Sequence, residues 1–161
     1  MEFDPTGKEN YRMTSCQVIN RYIHGGKGQV VLYSPTTKKA HMYAFLSPKN
    51  SSEFPEGTLF VYAIHEGHKI YLGLVKDDKF RLTARSTFGE DTEAVKGANY
   101  ILKMAISQRI ADSDKMELYH SGKCCVCGRS LRGARSVSKG IGQKCLQKYN
   151  IRTAKAEWDG N

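Results

Sequence analysis

The chain has 161 residues, of which 40% are hydrophobic and 25% are charged, and its formal net charge is +9. This composition is typical of a globular protein and excludes a disordered chain, while the length suits a modest domain with a second small one attached. The sequence contains no apolar run long enough to span a bilayer, and acids at Glu2 and Asp4 argue against a signal peptide. We therefore expect a protein of the cytoplasm that has no membrane partner.

Between residues 16 and 85, runs of β-branched and aromatic residues alternate with turn residues. The pattern predicts six short strands, at residues 16–23, 28–33, 40–46, 58–65, 69–75 and 80–85. Asp77 and Asp78 suit a tight hairpin turn. The segments 59–64 and 70–75 are apolar on both faces, which predicts central strands. We expect an antiparallel β meander or a sheet that curls.

A helix is predicted from about residue 91 to residue 111, because apolar residues recur there at helical spacing. The apolar stripe consists of Val95, Ala98, Ile101, Leu102, Ala105, Ile106 and Ile110. Asp91 or Thr92 can cap its start. The fold class is therefore α+β, with one helix packed on the sheet. We expect residues 1–114 to form a β-rich domain that folds by itself, followed by a zinc-finger module with a basic tail at residues 115–161.

The module contains the pattern His-x3-Cys-x2-Cys-x17-Cys, formed by His120, Cys124, Cys127 and Cys145. Two cysteines two residues apart, followed here by Gly128, are typical of a zinc knuckle, in which backbone amides point at the sulfurs. Cys145 follows a glycine turn and should lie in the first turn of a helix, where the helix dipole favours a thiolate. The spacing predicts a treble-clef-like finger, in which a knuckle, an irregular hairpin and a helix hold one Zn²⁺.

Two positions of this ligand set remain open from the sequence. Cys125 lies next to Cys124, and adjacent cysteines rarely bind one ion, so we interpret Cys125 as a bystander. The fourth ligand is His120, or alternatively Cys125, a carboxylate or water. The competing interpretation of the whole cluster is that its cysteines are small buried hydrophobic residues.

The segments Gly122-x-Cys124-x-x-Cys127-Gly128-Arg129-x-Leu131 and Ser136-Val137-x-x-Gly140-Ile141-Gly142-x-x-Cys145 resemble a small zinc-finger family. That family has no assigned function and recurs in bacteriophage and actinobacterial proteins. The resemblance implies a C-terminal metal-binding module with a His shortly before its first Cys, and it implies no activity. It suggests a phage-encoded protein that acts in the cytoplasm of its host. Gln143 stands where the family tends to have Pro.

The excess positive charge is concentrated in the module, since residues 115–155 contain ten Lys or Arg and one acid, Glu117. Such a cluster points to a polyanion, and nucleic acid is the partner that we favour. The predicted contacts are Arg129, Arg132, Arg135, Lys139, Lys144 and Lys148. Tyr149 or Trp158 could stack on bases. The alternative is a non-catalytic adaptor or inhibitor that binds a host protein. Catalysis is less favoured, because a zinc ion with four protein ligands leaves no site for water.

Overall fold

A computed structural model describes residues 2–159, with the side chains of all of these except residues 51 and 155–159. Over this range the chain forms one seven-stranded antiparallel sheet and five helices, which confirms the α+β class. The strands are β1 (Arg12–Met13), β2 (Lys27–Tyr33), β3 (Ala40–Leu46), β4 (Leu59–His65), β5 (His68–Lys76), β6 (Lys79–Arg81) and β7 (Glu117–His120). The helices are α1 (Cys16–Ile23), α2 (Glu93–Ile106), α3 (Gln108–Ala111), α4 (Ala134–Lys139) and α5 (Gln143–Asp159).

The four strands predicted between residues 28 and 75 are confirmed to within one residue at each end, as β2 to β5. They pair in chain order, and β4 and β5 lie inside the sheet as expected. Asp77 and Asp78 form the tight turn between β5 and β6, with φ angles of 54° and 60°. Short polar side chains tolerate this left-handed conformation. The strand predicted at residues 80–85 is shorter than expected, since β6 ends at Arg81.

The prediction of a strand at residues 16–23 is wrong, because this segment forms helix α1. Its N-cap is Ser15, whose hydroxyl accepts a hydrogen bond from the Val18 N–H at 3.5 Å. The buried side chains Ile19, Tyr22 and Ile23 follow the helical spacing of three and four residues. Burial of this stripe outweighs the weak strand preference of the β-branched residues.

Helices α1 and α2 contact each other and cover the same face of the sheet, where the core lies. Helix α2 begins after Thr92, whose hydroxyl accepts from the Val95 N–H, and ends at Ile106, so the predicted helix divides into α2 and α3. The buried Tyr43 hydroxyl of β3 donates to the Ala94 carbonyl at 2.7 Å. None of the helices within residues 2–159 is long and apolar enough to cross a membrane.

Strand β7 was not predicted, and it lies between β1 and β2 in the sheet. It pairs with β2 from Val30↔His120 to Tyr33↔Glu117 and with β1 from Arg12↔Tyr119 to Met13↔Leu118. The Leu118 side chain is fully buried in the core. The sheet therefore includes a strand from the segment that the sequence assigned to the zinc module, which argues against independent folding of residues 1–114.

We now expect a chain that ends at Asp114 to lose cooperative unfolding. The shortened chain would leave β1 and the outer edge of β2 unpaired and would remove Leu118 from the core. A chain that ends at Arg152 is the control, because it keeps β7 and the three cysteines, and Thr153 and Ala154, the described side chains that it removes, are exposed. Thermal unfolding followed by circular dichroism compares the two. A sharp transition in the chain ending at Asp114 would contradict this expectation and support a separate β-rich domain.

Candidate metal centre

The knuckle predicted at Cys124 and Cys127 forms through a short set of backbone hydrogen bonds. The Cys124 N–H donates to the Arg129 carbonyl at 2.8 Å, and the Gly128 N–H donates to the Cys124 carbonyl at 2.9 Å. Gly128 has a φ of 76°, which a residue with a side chain rarely adopts. This turn directs the first two cysteines of the pattern toward the same point.

The segment between the knuckle and Cys145 differs from the irregular hairpin that we predicted. The single bridge here, between Lys123 and Ser130, closes the knuckle itself, and the chain then forms helix α4. Arg135 therefore lies on a helix, and Arg132 precedes it. Gly133 and Gly140 bound α4 with φ angles of 82° and 68°, so the two glycines allow the chain to reverse on either side of a short helix.

Cys145 lies in the first turn of α5, as expected, and its sulfur joins those of Cys124 and Cys127. The three sulfur atoms lie within 4.8 Å of one another. Thiolates around a tetrahedral zinc, with Zn–S bonds of about 2.3 Å, are about 3.8 Å apart, so a small contraction would enclose an ion. The Gly142 N–H also donates to the Cys124 sulfur at 3.3 Å. The cluster therefore has the donors and the spacing to hold a metal ion.

The cysteines differ in how readily they lose their protons without a metal. Burial raises the pKa of Cys124, but backbone N–H groups, foremost that of Cys127, outweigh it and lower the pKa to about 7. Burial raises the pKa of Cys145 to about 11, together with the hydrogen bond and the charge of Cys124. Neighbouring thiolates repel one another, and a divalent cation would remove this repulsion. Metal binding therefore has to displace protons from the cluster.

His120 is buried at the end of β7, and its ring nitrogens both form hydrogen bonds. Nδ1 accepts from the Gly122 N–H at 3.0 Å, so the ring hydrogen lies on Nε2, which is 2.6 Å from the Val137 carbonyl oxygen. Burial lowers the pKa of His120, and the Val137 bond opposes that shift. The group of three sulfurs does not include His120. Its role as fourth ligand stays a prediction, and it would require the ring to exchange a hydrogen bond for the metal.

Cys125 is fully buried and lies outside the group of three sulfurs. Its carbonyl accepts from the Lys27 N–H at 2.8 Å, and its own N–H donates to the Gly140 carbonyl at 3.1 Å. Burial raises the pKa of its thiol to about 12. A Cβ atom on Gly25 would lie 2.6 Å from the Cys125 sulfur, so this contact requires glycine. Cys125 thus joins the module to the start of β2.

Residues 116–150 match a family of unknown function (DUF6011). The match includes β7, the three cysteines of the cluster and all of α4, and it carries no activity. No curated protein and no solved structure matches the chain. The comparisons therefore support an uncharacterised family for this part of the chain and leave its biochemical role to the geometry of the site.

Three of the predicted nucleic-acid contacts border a groove of about 400 Å³ between α4 and α5. We call it the α4–α5 groove. Arg132, Arg135 and Lys139 lie on its α4 side, the half-buried Leu146 contributes apolar surface, and Ile141 borders the groove as a buried residue. The Lys139 carbonyl accepts a hydrogen bond from the Arg21 guanidinium at 2.8 Å, which fixes the end of α4 against α1.

A second cavity, which we call the cysteine pocket, adjoins the groove and has a volume of about 340 Å³. The three cysteines of the cluster border it together with Arg129, Arg132 and Lys144. Arg132, Ser136 and Gln143 border both cavities. Five of the six predicted basic contacts therefore surround two adjoining cavities beside the sulfur atoms, and no acid is among the described residues that line them.

The sixth predicted contact, Lys148, lies elsewhere, in a small cavity on the other side of α5 with Arg21, Tyr149 and Arg152. Tyr149, which we predicted as a stacking residue, is 37% exposed. The side chain of Trp158 lies outside the described residues. The basic residues of α5 are thus divided between two sides of the helix.

Sequence analysis missed the amide side chains that border the groove. Gln143, Gln147 and Asn150 lie along the α5 side of the groove. Their spacing of four and three residues places them on one face of a helix. The sequence contains this spacing, but it indicates a binding surface only once α4 is known to be a helix on the other side of the groove.

We predict that the protein binds one zinc ion per chain and that Cys145→Ser loses it. Serine keeps the size of the side chain but removes the thiolate, so a ligand variant should also lower the melting temperature. Cys16→Ser is the matched control, because Cys16 lies at the start of α1, outside the group of three sulfurs. Elemental analysis and thermal unfolding measure the two effects. Full zinc content in Cys145→Ser would contradict the proposed ligand set.

The prediction that His120 is a ligand is tested with Co²⁺ in place of zinc. Loss of a nitrogen ligand in His120→Gln should shift the d–d absorption bands and weaken metal binding, while the thiolate charge-transfer bands remain. Because the ring also packs against Tyr22 at 5.3 Å, stability alone does not identify its role. Unchanged d–d bands in the folded variant would exclude His120 as a ligand and leave the fourth position to another group.

Proposed function

We propose that this protein is a small zinc-finger protein that binds nucleic acid through its basic C-terminal module. The observation that carries the proposal is the arrangement of five basic residues around the α4–α5 groove and the cysteine pocket. Zn²⁺ is the metal that we assign to the three cysteines, since thiolate ligands in a knuckle are typical of structural zinc sites. A phage-encoded origin is part of the proposal and depends on the resemblance described above.

The density of charge around the cavities supports a phosphate-rich partner. Zinc with three thiolates and a neutral ligand would carry a net charge of about −1, which one or two nearby cations would balance. Arg129, Arg132 and Arg135 are all exposed, and none of them takes part in a described salt bridge. Phosphates would supply the missing counter-charge, and binding would gain free energy from counterion release.

The scaffold beneath these cations favours binding with little loss of conformational entropy. The short helix α4 is held by the Arg21 bond to the Lys139 carbonyl and by the Cys125 bond to the Gly140 carbonyl. Metal ligation would fix Cys145 and the start of α5 as well. Preorganised groups lose less freedom on association and therefore bind more tightly for the same contacts.

A protein-binding adaptor is the second candidate, and a specific feature of α5 favours it. Ile151 is 68% exposed, so α5 presents an apolar surface beside its basic residues, whereas Tyr149, 37% exposed and two residues away, faces another side of the helix. Exposed apolar residues with a charged rim are typical of protein interfaces. This surface lies beyond the α4–α5 groove, so variants can separate the two functions.

We predict that the double variant Arg132→Ala with Arg135→Ala weakens binding to DNA and RNA of any sequence. Residues that contact phosphate carry no sequence information, and removal of two contacts should reduce the slope of log K against log salt by about 1 to 2. Lys148→Ala with Arg152→Ala is the matched control, because it removes the same charge on the other side of α5. Fluorescence anisotropy at several salt concentrations measures both.

Three outcomes decide between the candidates. A larger effect of the Arg132 and Arg135 substitutions than of the control supports the α4–α5 groove and the cysteine pocket as the binding surface. Equal effects would mean that total charge alone attracts the nucleic acid. If the intact protein binds no single- or double-stranded nucleic acid at low salt, the proposal fails. The adaptor function is then tested with Ile151→Ser.

A further inference from the structure

The two sides of the α4–α5 groove differ in chemistry. Cations line the α4 side, whereas the α5 side presents the amides of Gln143, Gln147 and Asn150. Ile141, which is 1% exposed, and the half-buried Leu146 lie between them. The groove therefore combines positive charge, apolar surface and groups that both donate and accept hydrogen bonds.

A nucleotide with an unpaired base has the matching chemistry. Its phosphate suits the cations, its flat base suits the apolar surface, and its base edge can pair with amide side chains. Arginine can also stack its guanidinium plane on a base. The length of α5 from Gln143 to Asn150 is about 10 Å, since a helix rises about 1.5 Å per residue. This length is enough for one or two nucleotides.

A duplex would use this groove poorly. Its base faces are stacked on one another, and its phosphates line the outside of a wide cylinder. A duplex could contact the exposed Arg132 and Arg135, but it could not bring a base face to the half-buried Leu146. An acidic peptide could pair with the cations and hydrogen-bond the amides through its backbone, but its acidic side chains would present no flat apolar face to Leu146.

We propose that the α4–α5 groove binds single-stranded nucleic acid and holds at least one unpaired base between the cations of α4 and the amides of α5. This inference depends on the proposed function, because it specifies the form of nucleic acid that the same module recognises. It adds the amide residues of α5 to the contacts and gives them a role in selecting unpaired strands. The basic residues supply attraction to either form.

The test compares one labelled oligonucleotide of mixed sequence as a single strand and as a duplex, with both DNA and RNA. We expect tighter binding of the single strand, and we expect Gln147→Ala with Asn150→Ala to weaken it by about tenfold, as the loss of two hydrogen bonds would predict. Duplex binding should stay within about twofold. Both side chains are exposed, so the variant should fold, and its zinc content and melting curve check this.

The substitution of Ile151 by Ala is the matched control on α5, because Ile151 is exposed and does not border the groove. Its affinity for single strands should equal that of the intact protein. Equal binding of single strands and duplexes, or an equal loss for both in the amide variant, would overturn the inference while the proposed function stands. Absence of binding to either form would overturn both, and capture of a protein that depends on the groove would favour the acidic peptide.

Discussion

The structure depends on the opposite directions taken by two adjacent residues, Cys124 and Cys125. The first sulfur points to the cluster with Cys127 and Cys145, while the second is buried against the start of β2. Cys125 also bonds through its backbone to Lys27 on one side and to Gly140 on the other. A single step along the chain thus links the metal centre, the sheet and the end of α4. The module is not a finger on a flexible tether, because Cys124, the first sulfur of the cluster, is adjacent to Cys125 of the core.

This linkage extends through Tyr22, a fully buried residue of α1. Its hydroxyl donates to the Lys123 carbonyl at 2.9 Å, its ring stacks on His120, and a Cβ atom on Gly140 would lie 2.6 Å from the same ring. Helix α1, which the sequence led us to predict as a strand, therefore packs against the knuckle and supports it. The basic residues, the cysteine cluster, and α1 with the sheet are parts of one packed unit. A substitution in one of these parts should therefore change the packing of the others.

The sequence predicted the features that depend on local chemistry. The cysteine spacing identified the cluster, the Asp77–Asp78 turn identified a hairpin, and the apolar stripe identified α2. It failed where the decision depended on distant partners. The segment 16–23 has β-branched residues, and burial of its helical stripe against α2 and the sheet, together with the Ser15 cap, makes it helical. Strand β7 has four residues, too few for a recognisable alternation of apolar and polar side chains, and its pairing partners lie far away in the chain. The α4–α5 groove was missed because it requires α4, which we predicted as part of a hairpin.

The position of β7 between β1 and β2 has a consequence for how the chain folds during its synthesis on the ribosome. Val30 of β2 pairs with His120 of β7, so the sheet contains contacts of high sequence separation. The outer edge of β2 is therefore covered only after His120 has been synthesised. Until then the nascent chain presents an open, apolar strand edge, which is a site for aggregation or for a chaperone. Cys124, the first sulfur of the cluster, emerges only a few residues after His120. Cys145, the last sulfur of the cluster, is synthesised well after His120, so the sheet can close before the cluster is complete.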